Sequence, residues 1–354
     1  MSAALIATRL AGAESAPLPT DPRPGASPPT PLPTVDLATA SASDAFATLS
    51  TAASTVGVAL INNLAVRPPI AAIQRLFTRL YAAPDLVVRL NATYPARGVF
   101  KAACLRPGAN PAIDQKTTID LSVRRLGELR RLDPQLVDDL GDDFAVVLAF
   151  YAAVERDILP LLMAATSRIA GADIEPLHRE ANNNLRLIDY FPRGVPDEAR
   201  GPRCGEHIDY GTFTVVFQDG AVGGLEFDVD GRWIQVPAAV DAVVSWGWCG
   251  AVLSDERVLA AKHRVLRTWP AAERRTTAVV FVAPDLDAPL KPVWNGEEGV
   301  KNWRDEILNG DLTVRAFKAI ISKKWRRREG NEAGEVVEGA QDREVMDFLK
   351  PQRE

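Results

Sequence analysis

At 354 residues the chain has room for one elaborated domain or two, and its 47% hydrophobic and 25% charged residues are the composition of a folded globular protein. A formal net charge of −5 argues against nucleic acid as a partner, because phosphates need a basic face. Three cysteines, Cys104, Cys204 and Cys249, are too few and too scattered for a disulfide framework, and they point to a reducing, cytoplasmic location.

Residues 1–34 are rich in Ala, Pro and Ser and read as a flexible tail, since such a segment buries too little apolar surface to offset its ordering entropy. Its apolar start, Ala3 to Ala11, is interrupted by Arg9 and is short for a secretory signal. Order begins at Val35-Asp36-Leu37. Ser43 or Asp44 is a plausible N-cap for a helix through about Ser54, closed by Gly57, and Val58 to Ile61 reads as a strand. Pro68 and Pro69 precede a second helix, in which Ile70, Ile73, Leu76, Phe77 and Leu80 recur at three- and four-residue spacing and form one core-facing stripe.

Tyr94 to Leu121 lacks periodicity and is taken as loop with short strands. Asp142 to Ala170 is apolar almost all round and predicts one long buried helix, bent at Pro160 and closed by Gly171. The apolar run Phe144 to Ala165 fails as a membrane span, because Glu155, Arg156 and Asp157 sit in its middle.

After Asn182 the period changes. Leu185 to Phe191, Thr212 to Phe217, Leu225 to Val229, Arg232 to Val236, Ala242 to Trp246 and Thr276 to Val282 are predicted strands, with Asp230-Gly231 a type I′ hairpin turn. Short strands with frequent turns indicate a sandwich, jelly roll or barrel. Past Pro289 the chain is helical again, with Val314, Phe317, Ile320 and Ile321 on one face and a basic end from Lys323 to Arg328, read as a solvated helix end.

The chemistry concentrates between Cys204 and Pro284. In an extended segment residues two apart point the same way, so His207 and Asp209 can grip one ion together, with His263 arriving from another strand. Two imidazoles and a carboxylate on one face leave the remaining positions of an iron(II) ion open to a co-substrate and dioxygen. Arg275 and Thr277 share one face of the last strand, and together they make a carboxylate site, bidentate from the guanidinium. Cys204 lies three residues before His207, but a lone Cys-x-x-His lacks the further thiolates of a zinc site, and His178 in its charged surroundings reads as a surface residue.

These motifs resemble the isopenicillin N synthase-like branch of the 2-oxoglutarate and iron(II)-dependent oxygenases. Gly205-Glu206-His207-Ile208-Asp209-Tyr210-Gly211 is similar to that family's metal box, His263-Arg264-Val265 to its distal-histidine box, and Arg275-x-Thr277 to the Arg-x-Ser that holds the far carboxylate of 2-oxoglutarate. Leu185 to Tyr190 matches the strand whose tyrosine contacts the co-substrate, while Arg97-Gly98 and Asp114-Gln115-Lys116 resemble marks of the N-terminal region.

The resemblance implies an α+β fold with a β-rich core, a double-stranded β-helix (jelly roll, cupin-like) with flanking helices. It implies residues 35–180 as an N-terminal mixed helical domain, 181–290 as the catalytic core and 291–354 as a C-terminal helical extension. Its implied ligands are iron(II) on His207, Asp209 and His263, and 2-oxoglutarate on Arg275, Thr277 and Tyr190, with dioxygen as oxidant and ascorbate as a stimulant. The sequence departs from the family at Thr277, where Ser is usual, at Ile188, and at Ser245-Trp246-Gly247-Trp248, which brings two indoles near the site. Trp246, Trp248 and Phe213 are therefore the candidate substrate pocket.

The expected protein is a monomer that oxidises a small molecule by hydroxylation, desaturation or ring formation, with neither nucleic acid nor membrane as partner. The rival readings are an oxidase that uses iron and dioxygen without 2-oxoglutarate, and a non-catalytic jelly roll that binds a small ligand.

Overall fold

The computed structural model describes residues 31–95, 98–102, 116–179, 182–190, 203–266, 274–294, 303–328 and 340–351, and Leu32–Glu354 gather into one unit. Arg97, Asp114 and Gln115, and most of the predicted tail, lie outside the described residues.

In chain order the first half runs β1 (Thr34–Asp36), α1 (Ala42–Thr55), β2 (Val58–Asn62), α2 (Ile70–Ala82), α3 (Pro84–Ala92), β3 (Phe100–Ala102), β4 (Thr117–Ser122), α4 (Val123–Leu132), α5 (Pro134–Asp139), α6 (Gly141–Asp157) and α7 (Leu159–Ala170). The second runs β5 (Asn184–Asp189), β6 (Cys204–His207), β7 (Phe213–Gln218), β8 (Leu225–Val229), β9 (Arg232–Gln235), β10 (Ala242–Trp246), α8 (Trp248–Leu253), β11 (His263–Val265), β12 (Thr276–Val282), α9 (Asp305–Leu308), α10 (Val314–Arg328) and α11 (Ala340–Leu349).

Two sheets result. The larger has eight strands in the order β1-β2-β10-β7-β12-β5-β4-β3, and the smaller has four in the order β6-β11-β8-β9. Every pairing is antiparallel except β1 with β2. This is the jelly roll, extended on one edge by β3 and β4 and on the other by β1 and β2.

The alternation of side chains assigns each face of the large sheet to a different core. Ala278, Val280 and Val282 of β12, with Phe213, Val215 and Phe217 of β7, join the helices in one cluster. Val279 and Val243 meet Leu225, Phe227 and Val265 of the small sheet in another. Helices therefore back the large sheet on one side, and the small sheet covers the other.

The predicted long helix is two. Pro160 has no N–H and its ring collides with the carbonyl four residues back, so α6 stops at Asp157 and, after Ile158 alone, α7 begins at Leu159 with Pro160 in its first turn, where no donor is required. α7 closes on Gly171 at φ 70°, as the sequence indicates. Nor is α6 buried all round: Phe144, Val147, Phe150, Tyr151 and Val154 are buried, while the equally apolar Val146 is 46% exposed. The hairpin between β8 and β9 turns on Asp230 and Gly231 with φ of 52° and 76°, the positive pair a type I′ turn demands. No helix among the described residues is long and apolar enough to cross a membrane.

Candidate metal and carboxylate site

The small sheet supplies two of the three candidate ligands through register. His263 of β11 pairs directly with His207 of β6, and the ladder shifts immediately afterwards, between His263 and Val265. That pairing sets the two imidazoles side by side, ring centroids 4.3 Å apart. Asp209 follows β6 by two residues and turns its carboxylate to both, with Oδ1 3.6 Å from His207 Nε2 and Oδ2 3.9 Å from His263 Nε2. These gaps are too long for hydrogen bonds and within reach of one shared ion. Among the described residues, His207, Asp209 and His263 form the group of ligating side chains, their donor atoms all within 4.8 Å of one another.

Surrounding contacts aim these donors. His207 Nδ1 lies 2.9 Å from the carbonyl of Gly205 and His263 Nδ1 3.2 Å from that of Ala261. A proton on each Nδ1 donates to that carbonyl and leaves Nε2 as the ligating lone pair. Thr214 Oγ1 donates to Asp209 Oδ2 at 2.7 Å, which holds the carboxylate from the large sheet. The donor set, two neutral imidazoles and one carboxylate on one face, suits a non-haem iron(II) ion.

Glycines let the backbone close behind Asp209. A Cβ on Gly247 would sit 2.6 Å from the carbonyl oxygens of both Asp209 and Gly211, and one on Gly211 would strike the carbonyl of Val282. The amides of Trp248 and Cys249 donate to the carbonyls of Asp209 and Tyr210 at 2.9 and 3.0 Å. His178, expected at the surface, is half-buried and bonded to Thr212 Oγ1 and the Ile174 carbonyl, each at 2.8 Å, so it braces the same segment. Burial pushes its pKa below 6.5, so the neutral imidazole is favoured there.

The second half of the site lies across a cavity of about 890 Å³ that both sheets line. Thr277 stands opposite Ile188 on one side and Gln218 on the other, and Arg275 precedes it on the same face. Arg275 is 1% exposed. Its Nη2 donates to Gln218 Oε1 at 3.0 Å and its Cζ lies 4.9 Å from the centre of the Tyr190 ring. Its Nε and Nη1, and the Thr277 hydroxyl, have no partner despite complete burial. Such atoms cost about 1–3 kcal/mol each when left unpaired, more for charged groups, so this cluster fits an incoming carboxylate.

The sequence did not assign Gln218 or Thr214 to the site, and their roles are recognisable only once β7 lies between β10 and β12. The tryptophans go elsewhere. Trp246 and Phe213 share the helix-facing side of their strands, Trp246 Nε1 donates to Thr166 Oγ1 at 3.2 Å, and Trp248 is buried in the same core. None of the three lines the cavity, because the opposite strand face does. Cys204 and Cys249 keep their thiols; Cys204 lies at the cavity wall with Lys116 Nζ 3.1 Å from its sulfur, and burial pushes the Cys249 pKa up.

Residues 182–284 match the model of the 2OG-Fe(II) oxygenase superfamily. A 1-aminocyclopropane-1-carboxylate oxidase of Musa acuminata is 41% identical over 108 residues, covering 30% of this chain and 34% of its own. A 2-oxoglutarate-Fe(II) type oxidoreductase of Aspergillus fumigatus is 32% identical over 139 residues, 38% of this chain and 41% of its own. The matches thus span less than half the length of these relatives. Among solved structures, JOX2 in complex with 2OG, Fe and JA superposes with a TM-score of 0.62 at 19% identity over 97% of both chains. The dioxygenase for auxin oxidation in rice superposes with a TM-score of 0.59 at 22% identity over 87% of this chain and 98% of its own. At such identities the likeness is one of fold.

Proposed function

We propose, from the premise that the segment 182–284 belongs to the 2OG-Fe(II) oxygenase superfamily, that this chain is an iron(II)- and 2-oxoglutarate-dependent oxygenase of a small molecule. The observation that carries the reading is the unsatisfied, fully buried Arg275 and Thr277 pair in the same cavity as the His207, Asp209 and His263 triad. A triad alone fits many metalloproteins. A triad facing a buried, unanswered carboxylate receptor fits a metal enzyme with a dicarboxylate co-substrate.

His207, Asp209 and His263 would hold iron(II), and Arg275, Thr277 and Tyr190 would hold the far carboxylate of 2-oxoglutarate. Together, when bound, these groups supply the activation of dioxygen that oxidises a substrate C–H bond, with succinate and carbon dioxide released. Arg275 offers two donors to the carboxylate while Gln218 fixes the plane of its guanidinium. Thr277 adds a third donor. Ile188, Val216 and Val279 line the cavity beside them and keep water from competing for those donors. Thr214 keeps Asp209 from rotating out of the face it shares with the histidines. Hydroxylation, desaturation and ring closure are all outcomes open to such a site.

Purified protein given iron(II), ascorbate and 2-oxoglutarate is expected to release succinate, faster with its own substrate. Asp209→Ala should lose iron binding in equilibrium dialysis and lower succinate release by more than about 100-fold, beyond what losing an outer contact costs. Dioxygen uptake that depends on substrate but is indifferent to 2-oxoglutarate would sink the reading.

A further inference from the structure

The cavity changes character towards its mouth. On one side α10 presents Arg315, Lys318, Ala319 and Ser322, a single i, i+3, i+4, i+7 stripe, while Val314, Phe317 and Ile321 hold the helix to the core. On the other side the register sets Asp120 of β4 opposite Arg186 of β5. Asp120 Oδ1 accepts from Arg186 Nε at 2.6 Å and its Oδ2 from Lys101 Nζ at 2.8 Å. Burial pushes the Asp120 carboxyl up, but Arg186, Lys101 and Arg125 outweigh it and hold the group well below the usual carboxylate range. One buried carboxylate thus faces three cations.

The imbalance holds across the whole lining. Eight of its described residues are Lys or Arg and two are Asp, in a chain whose formal net charge is −5. Asp287 holds Arg315 from outside the lining, so part of this charge is answered there. A divalent metal and a dianionic co-substrate at the inner end cancel each other and leave the rest intact. A cleft with low-dielectric walls and one dominant sign of charge concentrates ions of the opposite sign.

Lys318 is the cation best placed to receive one. Its Nζ lies 3.3 Å from Asn182 Oδ1 and 5.0 Å from the centre of the Tyr210 ring, one residue beyond the ligand Asp209. Asn182 is itself fixed by donating to the Pro284 carbonyl at 2.8 Å. Beside the triad the wall carries Phe281, which pairs with Thr214, the residue that holds Asp209, and offers apolar surface for a carbon skeleton.

We propose that the primary substrate is a small organic oxyanion whose charged group docks on Lys318 at the cavity mouth, its carbon skeleton lying over Phe281 towards His207, Asp209 and His263. This rests on the oxygenase reading and names its substrate class. The cations around Asp120 supply the field, and Lys318 supplies the contact.

The test is equilibrium dialysis of the full chain with iron(II) and 2-oxoglutarate, dioxygen excluded. The probes are aryl- and alkyl-propanoic acids, each paired with its primary amide and with a phosphate monoester of matching length. At least one of the two anion arms should be retained over the amides by at least about tenfold, the smaller end of what a charge-assisted hydrogen bond supplies, and the better arm identifies the oxyanion. Lys318→Glu should abolish that preference and Lys318→Arg should keep it. The same charge reversal at Arg130, exposed on α4 and outside the cavity, should leave it unchanged. Amides retained as well as both anions, no retention of any probe, or a preference that survives Lys318→Glu overturns the proposal. Dialysis reads no turnover: a protein that retains anions yet releases no succinate fails the oxygenase reading alone, and one that releases succinate without preferring anions fails this proposal alone.

Discussion

Arg275 and Arg186 put guanidinium groups into the same cavity, and they differ in what answers them. Arg186 meets Asp120 at 2.6 Å, and Asp120 also meets Lys101 and, at 3.1 Å, the Asn184 amide, so both oxygens of that carboxylate are answered within the chain. Arg275 has only Gln218 for one of its nitrogens and keeps two more buried without partners. A buried charge that the fold satisfies is part of the fold. A buried charge that the fold leaves unsatisfied lowers the stability of the empty protein and is explained by what binds there.

The comparison breaks most sharply at Asp120. Asp120→Asn removes the buried carboxylate and leaves the half-buried Arg186 and Lys101 against a neutral amide, which should destabilise the protein by about 1.5–3 kcal/mol, the worth of a hydrogen bond to a charged group. Urea unfolding would show this as a lower midpoint at unchanged slope. A midpoint equal to the parent's would mean that the mouth cluster is no more structural than Arg275. The pairing also sets a pH dependence: folded Asp120 holds its charge to lower pH than the unfolded chain does, so its contribution is present above the unfolded carboxylate range and is lost as pH falls through the folded value.

Arg275→Met should behave in the opposite way. It removes charge-assisted hydrogen bonds to the co-substrate, each worth about 1.5–3 kcal/mol, so the KM for 2-oxoglutarate should rise by about 10- to 100-fold. Without ligand the variant should unfold at the same urea concentration as the parent or a higher one, because the charge it removes was unanswered. A large loss of stability in the empty protein would show that Arg275 serves the fold after all.

The two ends of the cavity also differed in how far the sequence disclosed them. His207 with Asp209, and Arg275 with Thr277, carry local spacing, two residues apart, and strand geometry turns that spacing directly into a shared face, whereas His263 joins them only through the pairing of β11 with β6. The mouth has no such spacing. Asp120 and Arg186 meet only because β4 lies beside β5, Lys318 reaches the same cavity from α10, and nothing local to any of the three announces it. Trp246 and Phe213 show a different limit. β10 and β7 are buried on both faces, so their sequences are apolar nearly throughout, and the alternation that would tell the helix side from the cavity side is invisible. The break between α6 and α7 was legible in Pro160, but whether a proline bends a helix or ends it depends on whether the next turn packs in a new direction.

Thr277→Val is the finest test, since it keeps the shape of the side chain and removes only a hydroxyl. That hydroxyl is buried and without a partner in the fold, so its loss should leave the urea midpoint of the empty protein unchanged or raise it slightly. Affinity for 2-oxoglutarate should fall by about tenfold, the worth of one hydrogen bond to a charged group. The loss should appear in KM more than in kcat, because the contact is made before the chemistry and persists through it. A fall in kcat with KM unchanged would place the hydroxyl at the reacting end of the cavity, and Thr277 would then belong with the triad instead of with Arg275.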